Sequence, residues 1–374
     1  MSPTRILDIA TATPSYEYSQ DESARLALSL LPDDVDRRAV SALERVYANS
    51  GIERRRSVLP DFAVEGSGRR LFPPSPDLRP EPSTAVRNTV YVDEAPRLAK
   101  RAVTSLLEGL GEEASGITHL VTASCTGFSA PGWDYDLLRD LGLPAHTARF
   151  HIGFMGCFAA FPALRLADHI VRSEPDARVL VVALELCSLH YAIDASRDAL
   201  VANALFADGC AAALVAGEGA GGRSAARSDR PSLSLGPFAS RIVAGSAGEM
   251  AWLIGETGFS MRLSPRVAAS LGRSAGEIVD GLAAGAGLGR GDFRHWAIHP
   301  GGSAILDAFE RALHLDPSAL DPSRRVLREH GNMSSPTVLF VLERLLREGA
   351  PGPVFASAFG PGLTAESCLM ELKS

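Results

Sequence analysis

Two stretches of this chain, about 175 positions apart, run through the same series of patterns, and that repetition limits the possible folds more than any other feature. THLVTASCTGFSAP leads, after a gap, to GFMGCFAAFPALRLADHIV and then to the apolar run RVLVVALE. FRHWAIHPGGSAIL leads likewise to GNMSSPTVLFVLERLLREG and then to PVFASAFG. His119 to Gly153 spans 34 positions and His295 to Gly331 spans 36. Gly-x-Met recurs at 153–155 and 331–333, each time just before a helical pattern. Matches in one order at one interval indicate a duplicated unit.

Within a unit, short β-rich apolar runs alternate with longer helical patterns. THLVTAS (118–124) is followed by a predicted helix over Ala160–Arg172 and then by ARVLVVALE (177–185). Buried strands alternating with helices predict an α/β fold with a largely parallel or mixed sheet. The expected division is an N-terminal half over 1–217 and a C-terminal half over 233–374. The Gly/Ser/Arg-rich stretch 218–232 falls between them, and a Pro/Gly-rich loop covers 60–84. Two copies packed about a pseudo-twofold axis would bring Gly156–Cys157 beside Asn332–Ser335.

Composition removes several classes of function. With 374 residues, 46% of them apolar, the chain can bury a large core. A net charge of −7 leaves no basic field for nucleic acid or an anionic membrane, so an anionic substrate would need a local cluster of cations. Five cysteines, at 125, 157, 187, 210 and 368, have no close pairing, which argues against a disulfide framework and against a metal site. The first residues, MSPTRILDIATATP, read as a strand and not as a signal peptide. No apolar run approaches the roughly 18 residues of a transmembrane helix, so a cytoplasmic protein is expected.

Three side chains in the repeated segments carry chemistry. Cys157 precedes an apolar helical pattern with Pro162 in an early turn, where proline is tolerated. A helix N-terminus favours thiolate, although most cysteines are simply small buried hydrophobes. His299, in WAIHPGG, closes an apolar strand, where α/β folds place reactive groups; it could equally hydrogen-bond a turn. Asn332, in GNMSS, stands at a turn-to-helix junction and reads either as an N-cap or as a hydrogen-bond donor to an oxyanion.

The chain resembles the type III polyketide synthases, the group that includes chalcone synthase, over essentially its whole length. The matching segments are SGIERR (50–55), EAPRLAK (94–100), CTGFSAPGWDYDL (125–137), GFMGCFAAFPALRLA (153–167), VLVVALELCSLH (179–190), ALFADGCAAALV (204–215), WAIHPGGSAILD (296–307), GNMSSPTVLFVLE (331–343) and FGPGLTAE (359–366). The resemblance implies a thiolase-like fold, layered αβαβα with pseudo-twofold symmetry, and a homodimer. It implies a catalytic Cys157–His299–Asn332 triad acting on acyl-CoA and malonyl-CoA, with no metal or other cofactor.

It also assigns gate positions to Phe206 and Met261, the second a departure from phenylalanine, and a substrate cavity to Cys125, Thr126, His190, Trp252 and Ser334. Trp252 replaces a small residue of the plant pattern. Cys125 and His190 replace threonines. Coenzyme A contacts fall on Arg45, Gly301, Gly302 and Ala304. Two further basic positions of the family are Ala42 and Asn49 here, so Arg54, Arg55 and Arg56 are the expected compensation. Phe359, Gly360, Pro361 and Gly362 fall on a loop at which the product cyclises. The expected product is an alkylpyrone, an alkylresorcinol or a small aromatic polyketide, with a fatty acyl-CoA as the favoured starter. Three alternatives share features of the site: a ketoacyl-ACP synthase III, a non-catalytic acyl-binding homologue and a papain-like hydrolase. CTGFSAPG, the intact triad and the duplicated pattern speak against them in turn.

Overall fold

Every residue of the run Arg178–Leu186 is buried, yet alternate side chains enter different cores. Val179, Val181 and Ala183 join one cluster, whereas Leu180, Val182 and Leu184 join another. A strand with both faces covered needs no polar alternation, which is why this run reads as continuously apolar.

The computed structural model describes residues 3–31, 36–63, 68–194, 196–218 and 230–374. Most of the expected linker, and part of the 60–84 loop, lie outside the described residues. The first half contributes β1 (Thr4–Ala12), β2 (Tyr16–Ser19), α1 (Gln20–Ser29), α2 (Arg37–Ala48), β3 (Arg54–Ser57), α3 (Thr84–Leu110), β4 (His119–Ser124), α4 (Trp133–Asp140), β5 (Ala148–Gly153), α5 (Ala160–Ser173), β6 (Arg178–Leu186), α6 (Arg197–Leu205) and β7 (Asp208–Gly217). The second contributes β8 (Ser232–Ile242), β9 (Met250–Gly255), β10 (Gly258–Leu263), α7 (Val267–Gly285), β11 (His295–Ile298), α8 (Ser303–Leu313), α9 (Asp321–His330), α10 (Thr337–Glu348), β12 (Gly352–Gly360) and β13 (Thr364–Lys373).

Nine strands form one sheet in the order β11-β12-β13-β8-β1-β7-β6-β4-β5. Counted outward from the β8–β1 junction, each half runs first strand, last strand, next to last, second. Pairing directions repeat as well. β4–β6 and β11–β12 are parallel, while β6–β7, β7–β1, β12–β13 and β13–β8 are antiparallel. The duplication seen in the sequence is therefore also a duplication of topology.

Three cores stack the layers. α5 and α10 pack between the inner faces of the two half-sheets. α3 and α4 cover the outer face of the first half-sheet, and α7 and α8 cover that of the second. The result is the expected αβαβα layering. The backbone repeats too: Gly156 and Ser334, each fourth in its Gly-x-Met-x motif, both adopt positive φ, +82° and +60°. Among the described residues, no helix is long and apolar enough to cross a membrane.

Candidate active site

The cysteine is presented by a turn, not by the helix itself. β5 ends at Gly153, the Phe154 N–H donates to Ser124 O at 3.2 Å, and the chain reverses through Gly156. A Cβ on Gly156 would lie 2.6 Å from Pro361 Cδ, so the close approach of the 360–362 turn requires glycine there. Cys157 follows, and α5 begins only at Ala160, with Pro162 in its first turn. The expectation of a thiol acidified by a helix N-terminus is not met. Burial pushes the Cys157 thiol up to about 11, and hydrogen bonding from the Ser334 and Asn332 side chains pulls against that. Two residues of turn, Phe158 and Ala159, separate Cys157 from the helix, and desolvation outweighs what remains of the dipole.

His299 closes β11, its N–H donating to Ser357 O at 2.8 Å. It is 1% exposed, and neither ring nitrogen has a hydrogen-bond partner among the described residues. Burial drives its pKa down to about 3, so at neutral pH the ring is an uncharged imidazole with one N–H and one free lone pair. An unpaired buried polar atom costs about 1–3 kcal/mol, and two on one ring are hard to explain unless a ligand completes them.

Asn332 does not cap α10, which starts five residues later behind Pro336. Instead its backbone is fastened to the end of α6. Its N–H donates to Leu205 O at 2.9 Å, and Ala207 N–H donates to Asn332 O at 2.9 Å. The Ser334 N–H donates to Asn332 Oδ1 at 2.8 Å, which orients the carboxamide, because only the oxygen can accept. Nδ2 then faces Gly301 O at 3.3 Å and keeps a second hydrogen available.

Cys157, His299 and Asn332 line a single cavity together with Phe206, Met261, Gly301, Gly302, Ala304 and Phe359. A second cavity, containing His190, Cys187 and Trp252, shares Phe206 and Met261 with the first. These two side chains therefore border both cavities, of which the one holding the thiol is the outer chamber and the other the inner chamber. His190 is stacked on Phe259 with centroids 4.0 Å apart. Its Nε2–H donates to Thr126 O at 2.8 Å and its Nδ1 accepts from Phe259 N–H at 3.1 Å. Both nitrogens are used, so His190 is wall and not acid or base. Trp252 Nε1 donates to Cys125 O at 2.9 Å, holding the indole in the wall of the inner chamber.

Three expected cavity residues line neither chamber. Cys125 and Thr126 hydrogen-bond Glu185, a carboxylate with 0% exposure, whereas the Ser334 side chain hydrogen-bonds the Cys157 thiol. Glu185 accepts from Cys125 N–H at 2.9 Å, Cys125 Sγ at 3.2 Å, Thr126 Oγ1 at 2.8 Å and Ser335 Oγ at 2.8 Å. Burial raises its pKa and these donors lower it. Sequence reasoning passed over Glu185. The available signal was one charge inside the otherwise apolar strand β6.

The basic entrance also differs from expectation. Arg45 is exposed on α2, in the stretch that also carries Ala42 and Asn49. Arg56 pairs with Glu17, Arg55 turns inward to donate to Asn203 O and Phe206 O, and both line the second cavity rather than the one holding the thiol. Arg197, which nothing in the sequence singled out, lines the outer chamber and donates to Leu263 O at 2.9 Å.

Comparison with known proteins agrees with this geometry. Residues 2–219 match the N-terminal domain of the chalcone and stilbene synthases, and residues 237–373 match the C-terminal domain. The chain is 33% identical over 373 residues to a 3,5-dihydroxyphenylacetyl-CoA synthase of Streptomyces toyocaensis, covering 98% of this chain and 90% of that one. Among solved structures it is similar to PKS-I of the brown alga Ectocarpus siliculosus, with a TM-score of 0.90, 30% identity and coverage of 100% and 99% of the two chains. It is similar also to the 1,3,6,8-tetrahydroxynaphthalene synthase of Streptomyces coelicolor A3(2), a bacterial type III polyketide synthase, at 0.86 and 29% identity, covering 99% of each chain.

Proposed function

Because the chain belongs to the chalcone and stilbene synthases, the type III polyketide synthases with their thiolase-like fold, we propose that Cys157, His299 and Asn332 perform the condensation these enzymes carry out on coenzyme A thioesters. The family needs no cofactor beyond those substrates. The observation that carries the residue assignment is the single cavity lined by all three side chains.

The His299 imidazole, neutral at rest, takes the thiol proton as the Cys157 sulfur attacks the starter thioester carbonyl. The coenzyme A thiolate leaves and receives that proton, which restores the neutral ring. Malonyl-CoA then enters the same chamber. Loss of carbon dioxide places the bond's electron pair on the thioester oxygen, and the resulting enolate accepts hydrogen bonds from the imidazole N–H and Asn332 Nδ2–H. Neither donor carries a charge that would hold the substrate carboxylate in place. The enolate carbon attacks the Cys157 thioester and expels the thiolate, giving a β-ketoacyl-CoA two carbons longer. Repetition extends the chain past Phe206 and Met261 into the inner chamber.

We propose malonyl-CoA or a short acyl-CoA as starter and a small aromatic polyketide as product. Support comes from Trp252, a bulky indole held in the wall of the inner chamber beside His190 and Phe259, where it takes up space that a long alkyl tail would need. The 3,5-dihydroxyphenylacetyl-CoA synthase activity of the Streptomyces toyocaensis relative points the same way. The test is incubation with labelled malonyl-CoA and starters from acetyl- to long-chain acyl-CoA, with products identified by mass spectrometry. Short or malonyl priming is expected, and Trp252→Gly is expected to admit longer starters. A preference for long chains in the parent enzyme contradicts the starter assignment, and an unchanged spectrum from folded Trp252→Gly reduces the indole to packing. Failure to consume malonyl-CoA contradicts the condensation itself.

We also propose a homodimer. The edge strand β5 exposes Phe150, and Phe128, Phe154 and Met155 are exposed as well. Phe128 and Phe154 continue through Phe259 into the cavity wall. Apolar rings beside an unpaired strand edge suit a second copy of the chain. A monomeric mass in sedimentation equilibrium would contradict this.

A further inference from the structure

α6 ends at a crowded junction. Its last carbonyls need partners, and they are the negative end of the helix. Leu205 O accepts from Asn332 N–H. The two neighbouring acceptors, Asn203 O and Phe206 O, are both taken by Nη1 of Arg55, at 2.5 Å and 2.8 Å. Arg55 comes from β3, far away in sequence, and forms no ion pair among the described residues. The guanidinium borders the inner chamber, faces the Tyr47 hydroxyl and feels the Asp208 carboxylate, yet its hydrogen bonds go to the carbonyls at the end of α6, and that placement calls for an explanation.

That explanation lies in what the side chain spans. Phe206, whose carbonyl Arg55 holds, is one of the two side chains shared by the chambers, with Met261. Phe206 and Asn332 form an isolated parallel bridge, one residue from each half of the molecule. The residue before Asn332 is Gly331, at φ +71°, where a Cβ would lie 2.9 Å from Arg55 Cγ and 3.1 Å from Leu205 O. The stem of Arg55 therefore packs against Gly331 while its head holds the α6 terminus.

We propose that Arg55 is a positioning residue that locks the Phe206 gate and the Asn332 carboxamide into one register, so that the amide meets the enolate oxygen in the geometry decarboxylation requires. The inference rests on the role given to Asn332 above. Cys157 is fastened elsewhere, by the turn after β5 and the 360–362 turn, so Arg55 governs decarboxylation and not loading.

The test is Arg55→Met, an apolar stem of similar length without the donors, studied with Arg55→Lys. Two rates are measured per active site, with sites counted by iodoacetamide titration of Cys157: release of carbon dioxide from malonyl-CoA, and acylation of Cys157 by a starter acyl-CoA. A displacement near 1 Å can cost on the order of 100-fold, so Arg55→Met is expected to decarboxylate about 10- to 100-fold more slowly, while loading changes less than about twofold. Arg55→Lys, which keeps a cationic donor, is expected to recover part of the loss. Equal falls in both rates would indicate a general structural role and overturn the proposal, as would unchanged rates. If Arg55→Met does not fold, the Arg55→Lys ratio carries the same decision. Absence of decarboxylation by the parent enzyme would instead refute the functional reading on which this rests.

Discussion

Cys157→Ala is expected to abolish acyl-enzyme formation, with no starter-sized mass added to the intact protein, while malonyl-CoA decarboxylation stays within about tenfold of the parent rate. The reason is the division of the site between its two halves. The sulfur is the only thiol lining the outer chamber among the described residues, since Cys125 lines neither chamber and Cys187 lines the inner one. No other thiol there can form the thioester. The donors to the enolate are His299 and Asn332, and neither depends on the sulfur for its place. His299 hangs from β11 by its own backbone bond to Ser357, and Asn332 is tied to α6. Alanine at 157 also removes a poorly solvated thiol without introducing a polar group, so the fold should tolerate it.

The second large effect falls on the donors. Asn332→Ala and His299→Ala are each expected to slow decarboxylation by about 10²–10³, the usual cost of removing one preorganised donor to a developing oxyanion. Asn332→Asp is a sharper test because it keeps the shape and reverses the chemistry. A carboxylate at 332 brings negative charge to the point where the enolate oxygen forms, so it is expected to be no better than alanine. His299→Ala should also slow loading, because among the described residues lining the outer chamber no other side chain is a neutral base able to take the thiol proton. Asn332→Ala should leave loading largely intact. Stopped assays for carbon dioxide release and intact-mass measurement of the acyl-enzyme separate these outcomes.

Much of this could be read from the chain before any coordinates. The repeated Gly-x-Met motifs fixed the relation between the halves because each marks a point where the backbone must turn through positive φ, at Gly156 and again at Ser334. The runs of β4 and β6 read as buried strands because helices cover both faces. What the chain could not reveal was the environment at particular atoms. Cys157 looked acidified, since its distance from the helix start and the depth of its burial depend on packing that no local pattern encodes. Asn332 looked like an N-cap because asparagine before a helix usually is one, whereas here a contact with α6, more than 120 positions earlier, took precedence. Arg55 looked like entrance charge for the same reason: a run of three arginines does not say which of them turns inward. Glu185 was legible in principle, as a lone carboxylate in an apolar strand, yet its donors, from the 124–126 segment and from Ser335, are brought together only by the fold.

The most direct measurement places two variants side by side, Cys157→Ala and Asn332→Ala, and determines loading and decarboxylation in each. A crossed pattern is expected: the first loses loading and keeps decarboxylation, and the second keeps loading and loses decarboxylation. If both variants, folded, lose both activities in the same proportion, or if either keeps the activity assigned to the missing side chain, then these groups do not share the labour of one condensing site.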